Sequence, residues 1–144
     1  MQTEHRDLKI CACFFPFPAE GAHIHVLSVV EILRAISDSL VVVSGPMPQG
    51  LSFGVGVSSR TLKVVTHLRP YGKPLWLSAL KWALKYVAGQ VEMSYLAARV
   101  SGETNVMLFY EGGHHYLLPI IVARLLRKKV VKYAPPHPYA PGDP

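Results

Sequence analysis

Apolar residues along this chain fall into short dense runs, separated by glycine- and proline-rich breaks, and the runs alternate between two periodicities. The first, LKICACFF (Leu8 to Phe15), is almost continuously apolar over the length of a strand and is stopped by Pro16 and Pro18. That pattern predicts a strand buried on both faces. From about Ala22 to Ile36 the polar positions Ser28, Glu31 and, less regularly, Asp38 recur on one narrow helical face. The remaining positions (Ile24, Leu27, Val30, Leu33 and their neighbours) are apolar nearly all round, which predicts a helix packed on a sheet.

SLVVVSG reads as a second buried strand, and PMPQGLSFGVGVSS follows it without clear periodicity. TLKVVTHL is expected to be the third strand, ended by Pro70. A long helical pattern runs from Pro74 to about Arg99, with an interruption expected at Gly89. NVMLFY reads as a fourth strand closed by EGG, and YLLPIIVARLLRKK as a helix with Pro119 near its first turn. The basic end of that helix, Arg127 to Lys129, suits the negative pole of its dipole. VVKYA is the fifth strand, and the proline-rich PPHPYAPGDP cannot continue it. Strands alternating with helices in this order predict an α/β domain over residues 1–134: a doubly wound, mostly parallel, Rossmann-like sheet with helices on both faces. Residues 135–144 read as a tail or as the start of a continuation. No internal repeat is present.

The totals narrow the possible functions. A length of 144 residues, half of them apolar and 17% charged, allows one domain with a real core and excludes a disordered chain. The formal charge of +6 favours anionic partners. Among these, nucleic acid is disfavoured because the basic residues are scattered rather than interleaved with aromatics. The charged start MQTEHRDLKI does not read as a signal peptide, and Arg124, Lys81 and Lys85 break every apolar stretch short of a bilayer span. Cys11 and Cys13 should share one strand face, poorly placed to bridge each other, which points to a reducing, cytoplasmic compartment.

In a parallel sheet, ligands gather beyond the carboxyl ends of the strands. The loops expected there are FPAEGAHIH, SGPMPQG, LRPYG, EGGHH and APPHP, so glycine and histidine collect along one rim. Gly21 stands where the chain turns from strand to helix. There it either lets an anion approach the backbone amides at the helix start or serves the turn alone. His23 and His25 point in different directions on a helix; each either faces a ligand or packs structurally. Glu111, Gly112, Gly113, His114 and His115 form a loop aimed at the same rim, where Glu111 can accept a hydrogen bond from a sugar hydroxyl or cap the helix. No histidine pair has the helical i, i+4 spacing of a zinc site, and no metal is expected. The long helix carries Ser78, Lys81 and Lys85 on one face and Trp76, Trp82 and Tyr86 among leucines. It either covers the sheet or lies in an anionic membrane interface.

The segment KICACFFPFPAEGAHIHVLSVVEIL resembles the first strand, glycine loop and first helix of the retaining GT-B glycosyltransferases of family 4, and NVMLFYEGGHHYLLPIIVARLLRKKVVKYA resembles that family's fourth strand, helix and fifth strand. The likeness covers about the first 40 residues and about 30 near the end. It implies the acceptor-side half of a two-domain enzyme that moves a sugar from a nucleotide-sugar co-substrate to a glycan or lipid-linked acceptor, without cofactor or metal. A second Rossmann-like domain or subunit would hold the donor, with the enzyme working in the cytoplasm or peripherally at the inner membrane face. The resemblance assigns Glu20, Gly21 and Ala22 to the donor phosphates, Ala22 standing where many members have a second glycine. It assigns acceptor contact to His23, His25 and the Glu111–His115 loop. The family histidine after the fifth strand aligns with Pro135, leaving His137, two residues later, as the candidate near the sugar. Glu103 and Glu111 have the family's seven-residue spacing but flank a strand, roughly 20 Å or more apart, so that match is chance. Two other readings of the same sheet stand beside this one: a non-catalytic binding module and half of a nucleotide-sugar epimerase.

Overall fold

The computed structural model describes residues 7–14, 22–47, 50–63, 75–110 and 116–133. They form β1 (Lys9–Phe14), α1 (Ala22–Ile36), β2 (Ser39–Ser44), β3 (Val57–Thr61), α2 (Leu75–Val100), a 3-10 turn (Ser101–Glu103), β4 (Val106–Tyr110), α3 (Leu117–Leu125) and β5 (Lys129–Tyr133). The strands make a single sheet in the order β3-β2-β1-β4-β5, and every pairing is parallel.

The direction of winding decides which face each helix covers. The chain steps one way across the sheet from β1 to β3, then crosses back to β4 and β5 on the other side. Right-handed crossovers therefore place α1 on one face and α2 and α3 on the opposite one. The two cores show it. Ile10, Ala12, Phe14, Leu40, Val42 and Tyr110 pack with Val30 and Leu33 of α1. Cys11, Cys13, Val41, Val43, Met107 and Phe109 pack with α2 and α3 through Met93, Ala97, Val100, Ile120 and Ala123. Alternate residues of β1, β2 and β4 thus serve opposite cores, which is why those strands read as unbroken apolar runs. Each fully buried aliphatic side chain contributes about 1.5–3 kcal/mol.

Two expectations are corrected. The third strand is Val57–Thr61, before the apolar segment expected to form it; residues 64–70 lie outside the described residues. VSSRT is an edge strand exposed along most of its length, so burial imposes no apolar pattern on it. The helix α2 runs unbroken through Gly89, where the cost of about 1 kcal/mol is offset by tertiary packing. As expected, α1 packs on the sheet, through a stripe that includes Val30 and Leu33, while Ile24, Ile32 and Ile36 are exposed.

Hydrogen bonds pin the amino ends of the strands. Asn105 accepts from the Lys9 amide at 3.0 Å, donates from Nδ2 to the Asp7 carbonyl at 2.5 Å, and exchanges backbone bonds with Lys9 and Lys129. It clamps β1, β4 and β5 at their start. The helix α3 ends in a Schellman motif: Lys128 N–H reaches the Ala123 carbonyl, Arg127 N–H reaches Arg124, and Arg127 sits at φ 57° where glycine is usual.

Candidate functional site

Because all five strands run the same way, the segments after Phe14, Ser44, Thr61, Tyr110 and Tyr133 leave from one rim of the sheet. Strand order reverses between β1 and β4, which pair with Phe14 beside Tyr110. That switch point is where a doubly wound sheet opens a crevice, since the connections on its two sides diverge to opposite faces. In the sequence, residues 15–21 join β1 to α1 and residues 111–115 join β4 to α3. The first holds Glu20 and Gly21 and leads into His23 and His25, and the second is Glu111–His115.

Glu20, Gly21, Glu111, Gly112, Gly113, His114, His115 and His137 lie outside the described residues. Ala22 and His23 fall in the first turn of α1, at the rim. His25 is two positions beyond His23 and exposed. The structure therefore brings together the ends of the strands that lead into these segments, Phe14 of β1 and Tyr110 of β4. The strand that precedes His137 in sequence, β5, is at the sheet edge.

The rim's electrostatics come from the helix starts. Parallel strands force all three helices to begin at the carboxyl side, and none carries an acidic residue in its first turn. Each carries an arginine in its last: Arg34, Arg99 and Arg124. The positive dipole ends of α1 and α3 thus flank the switch point without a carboxylate in either first turn, a setting that favours an anion. Gln90 Oε1 accepts from the Leu118 amide at 3.2 Å and satisfies one first-turn donor of α3.

Two features escaped sequence reasoning. The first is Tyr116, fully buried, with its ring against Phe109 at 5.2 Å and its phenol donating to the Tyr110 carbonyl. Tyr110 ends β4 and Tyr116 precedes α3, so this bond ties together the two ends of the Glu111–His115 segment. A tyrosine in an apolar helical run gives no such signal; only the coordinates show where its hydroxyl goes. The second is a hollow of about 270 Å³ beside β2 and β3, with Ser44, Phe53, Ser59 and Thr61 among its lining residues. Its wall is the loop expected to be irregular, where Gly54 sits at φ +82° and a Cβ added there would lie 3.4 Å from the Arg34 guanidinium. The hollow lies toward the sheet edge, away from the switch point. An aromatic row also crosses the rim: Phe14, Tyr110 and Tyr133 stand on neighbouring strands with successive ring centroids 5.3 Å apart.

Cys11 and Cys13 are free and buried, their sulfurs 3.8 Å apart. They share one face as expected. The hydrogen bond with Cys11, reinforced by burial, pushes the Cys13 thiol well above the ordinary thiol range. The pair is packing, not a nucleophile. Among the described residues, no cluster of three or more His, Cys, Asp or Glu could hold a metal ion.

No protein-family model and no curated protein matches the sequence. Solved structures do. The chain is similar to Phytolacca americana UGT2, determined with UDP-2fluoro-glucose and pterostilbene, at a TM-score of 0.55 and 14% identity over 90% of this chain. It is also similar to a UGT transferase from Siraitia grosvenorii, determined with UDP, at a TM-score of 0.51 and 14% identity over 87% of this chain. The fold is a Rossmann-like half of a GT-B glycosyltransferase. At this identity the likeness concerns the fold, and the chain spans 31% and 28% of the two structures.

Proposed function

We propose that the chain is the acceptor-side domain of a glycosyltransferase that moves a sugar from a nucleotide-sugar to a glycan or lipid-linked acceptor, with a second Rossmann-like domain supplying the rest of the donor site. The observation that carries this reading is the reversal of strand order between β1 and β4, which sets Phe14 and Tyr110, the last residues of those strands, side by side on the rim where α1 and α3 begin. The structural likeness to two nucleotide-bound plant transferases supports it. In this reading Glu20, Gly21 and Ala22 bring backbone amides to the donor diphosphate. His23, His25 and the Glu111–His115 segment meet the acceptor, and His137 approaches the transferred sugar. Family-4 membership and retention of configuration rest on the sequence resemblance, and the anomer of the product tests them.

The decisive assay combines the 144-residue chain with a donor-side GT-B domain and follows label from a nucleotide-sugar into acceptor. Transfer should require both components and fall at least tenfold on Gly21→Val. Ligand binding that survives His114→Ala/His115→Ala/His137→Ala without any transfer would favour the non-catalytic binding module. Interconversion of the sugar nucleotide in the absence of acceptor would favour the epimerase.

A further inference from the structure

The helix α2 is longer than the sheet it covers, and one hydrogen bond measures the excess. Glu92 Oε1 accepts from the Lys63 amide at 2.8 Å, and Lys63 lies just past the carboxyl end of β3. Everything in α2 before Glu92 therefore stands at or beyond the carboxyl rim. Its companion α3 begins at the level of Gln90, through the bond from the Leu118 amide. Leu75 to Gly89 thus form an overhang of roughly 20 Å at 1.5 Å per residue.

That overhang has the wrong chemistry for water. Trp76 is 67% exposed, Leu80 53%, Leu84 63% and Val87 58%. Trp82 is exposed on another side of the helix and stacks on Tyr86 at 5.2 Å. Lys81 and Lys85 are the only charges between Leu75 and Val91. The apolar stripe continues onto the outer face of α3, where Leu117, Ile121 and Leu125 are 54–77% exposed. Lys81 and Lys85 are adjacent on one edge of that apolar face. Self-pairing would set lysines against lysines with no acid in the overhang to answer them. No helix among the described residues is long and apolar enough to cross a membrane.

We infer that the overhang of α2, with the outer face of α3, docks on an anionic bilayer surface, Trp76 and the leucines entering the headgroup layer and the lysines meeting lipid phosphates and carboxylates. This is the arrangement of an interfacial helix, with a basic edge beside an apolar face. The overhang rises from the rim that carries the candidate site, so docking brings that rim to the bilayer. With the function proposed above, on which this clause rests, the acceptor is then lipid-linked rather than free.

The test needs no transfer activity, so its failure is distinct from failure of the functional reading. Trp76 lies on the docking face and reports directly, and Trp82→Phe leaves it as the single tryptophan of the chain. With vesicles of phosphatidylcholine containing 30% phosphatidylserine, the chain should co-sediment and its tryptophan emission should shift to the blue. Pure phosphatidylcholine should bind far more weakly. Lys81→Gln/Lys85→Gln should reduce partition into anionic vesicles roughly thirtyfold, at about 1 kcal/mol per basic residue. Leu80→Ser/Leu84→Ser should abolish the blue shift, with the far-ultraviolet circular dichroism of both double variants unchanged because these side chains are exposed. Three results would overturn the inference: no binding to either vesicle, binding indifferent to charge, or a concentration-dependent blue shift without vesicles that tracks dimer formation in sedimentation velocity.

Discussion

Replacing Tyr116 by Phe deletes one oxygen from a side chain that is fully buried, leaving the ring to pack on Phe109 as before. What is lost is the phenol's hydrogen bond to the Tyr110 carbonyl at the end of β4. A buried acceptor that loses a donor costs about 1–3 kcal/mol, whereas the unchanged ring avoids the cavity cost of truncation to Ala, about 3–5 kcal/mol. With a urea slope of about 2 kcal/mol per molar, the unfolding midpoint should fall by about 0.5–1.5 M and the slope itself should not change. The same bond ties the ends of residues 111–115. Ligand affinity at the rim should therefore drop beyond what destabilisation explains, and Asn105→Ala provides the control. Asn105 clamps the opposite rim with two side-chain hydrogen bonds, so its loss should cost about 1–2 kcal/mol and leave ligand affinity unchanged. Tyr116→Phe with an unaltered midpoint, or both variants weakening ligand equally, would refute the assignment of Tyr116 as the anchor of that segment.

Other outcomes follow from particular groups. Neither Cys11 nor Cys13 should react with a thiol reagent in the native state, and both should react on unfolding; rapid native labelling would contradict their burial. Because the Cys13 thiol is raised in the folded state, the unfolded chain loses that proton first. Stability is thus unaffected below the ordinary thiol value, about 8.5, and declines as pH rises above it. Cys13→Ala should flatten that decline in urea titrations repeated across alkaline pH. Arg127→Gly should stabilise the chain by about 0.5–1 kcal/mol, because the Schellman position holds a side chain at φ 57°. A destabilised variant would mean that the arginine side chain makes a contribution larger than the backbone strain.

Four of the five strands were legible for a physical reason. The segments β1, β2 and β4 are sandwiched between two cores, so every position is under apolar pressure, and β5 keeps its paired valines beside β4. At β3 the edge position removes that pressure, and Val-Ser-Ser-Arg-Thr carries no periodicity to read. Gly89 shows the converse, a local breaker overridden by the packing of the helix around it. The rim could be located from the alternation of elements alone, since parallel strands must send their carboxyl-end loops to one side. The switch point could not, because it depends on strand order and nothing in the residues of β1 or β4 states which strand each will pair with. The Tyr116 bond and the excess length of α2 over the sheet are likewise three-dimensional facts. The sequence shows a hydroxyl and a long helix, and only their partners, Tyr110 and Lys63, give them meaning.

The central claim is that the carboxyl rim at the β1–β4 reversal is the ligand surface. Titrating isotope-labelled chain with UDP-glucose, and following backbone amide shifts, tests it most directly. The account predicts saturable shifts at the start of α1, from Ala22 to His25, and at the start of α3, from Tyr116 to Leu118, with Asn105 and Lys129 at the opposite rim unmoved. Shifts confined to the Asn105 rim, or no shifts at millimolar probe, would contradict it.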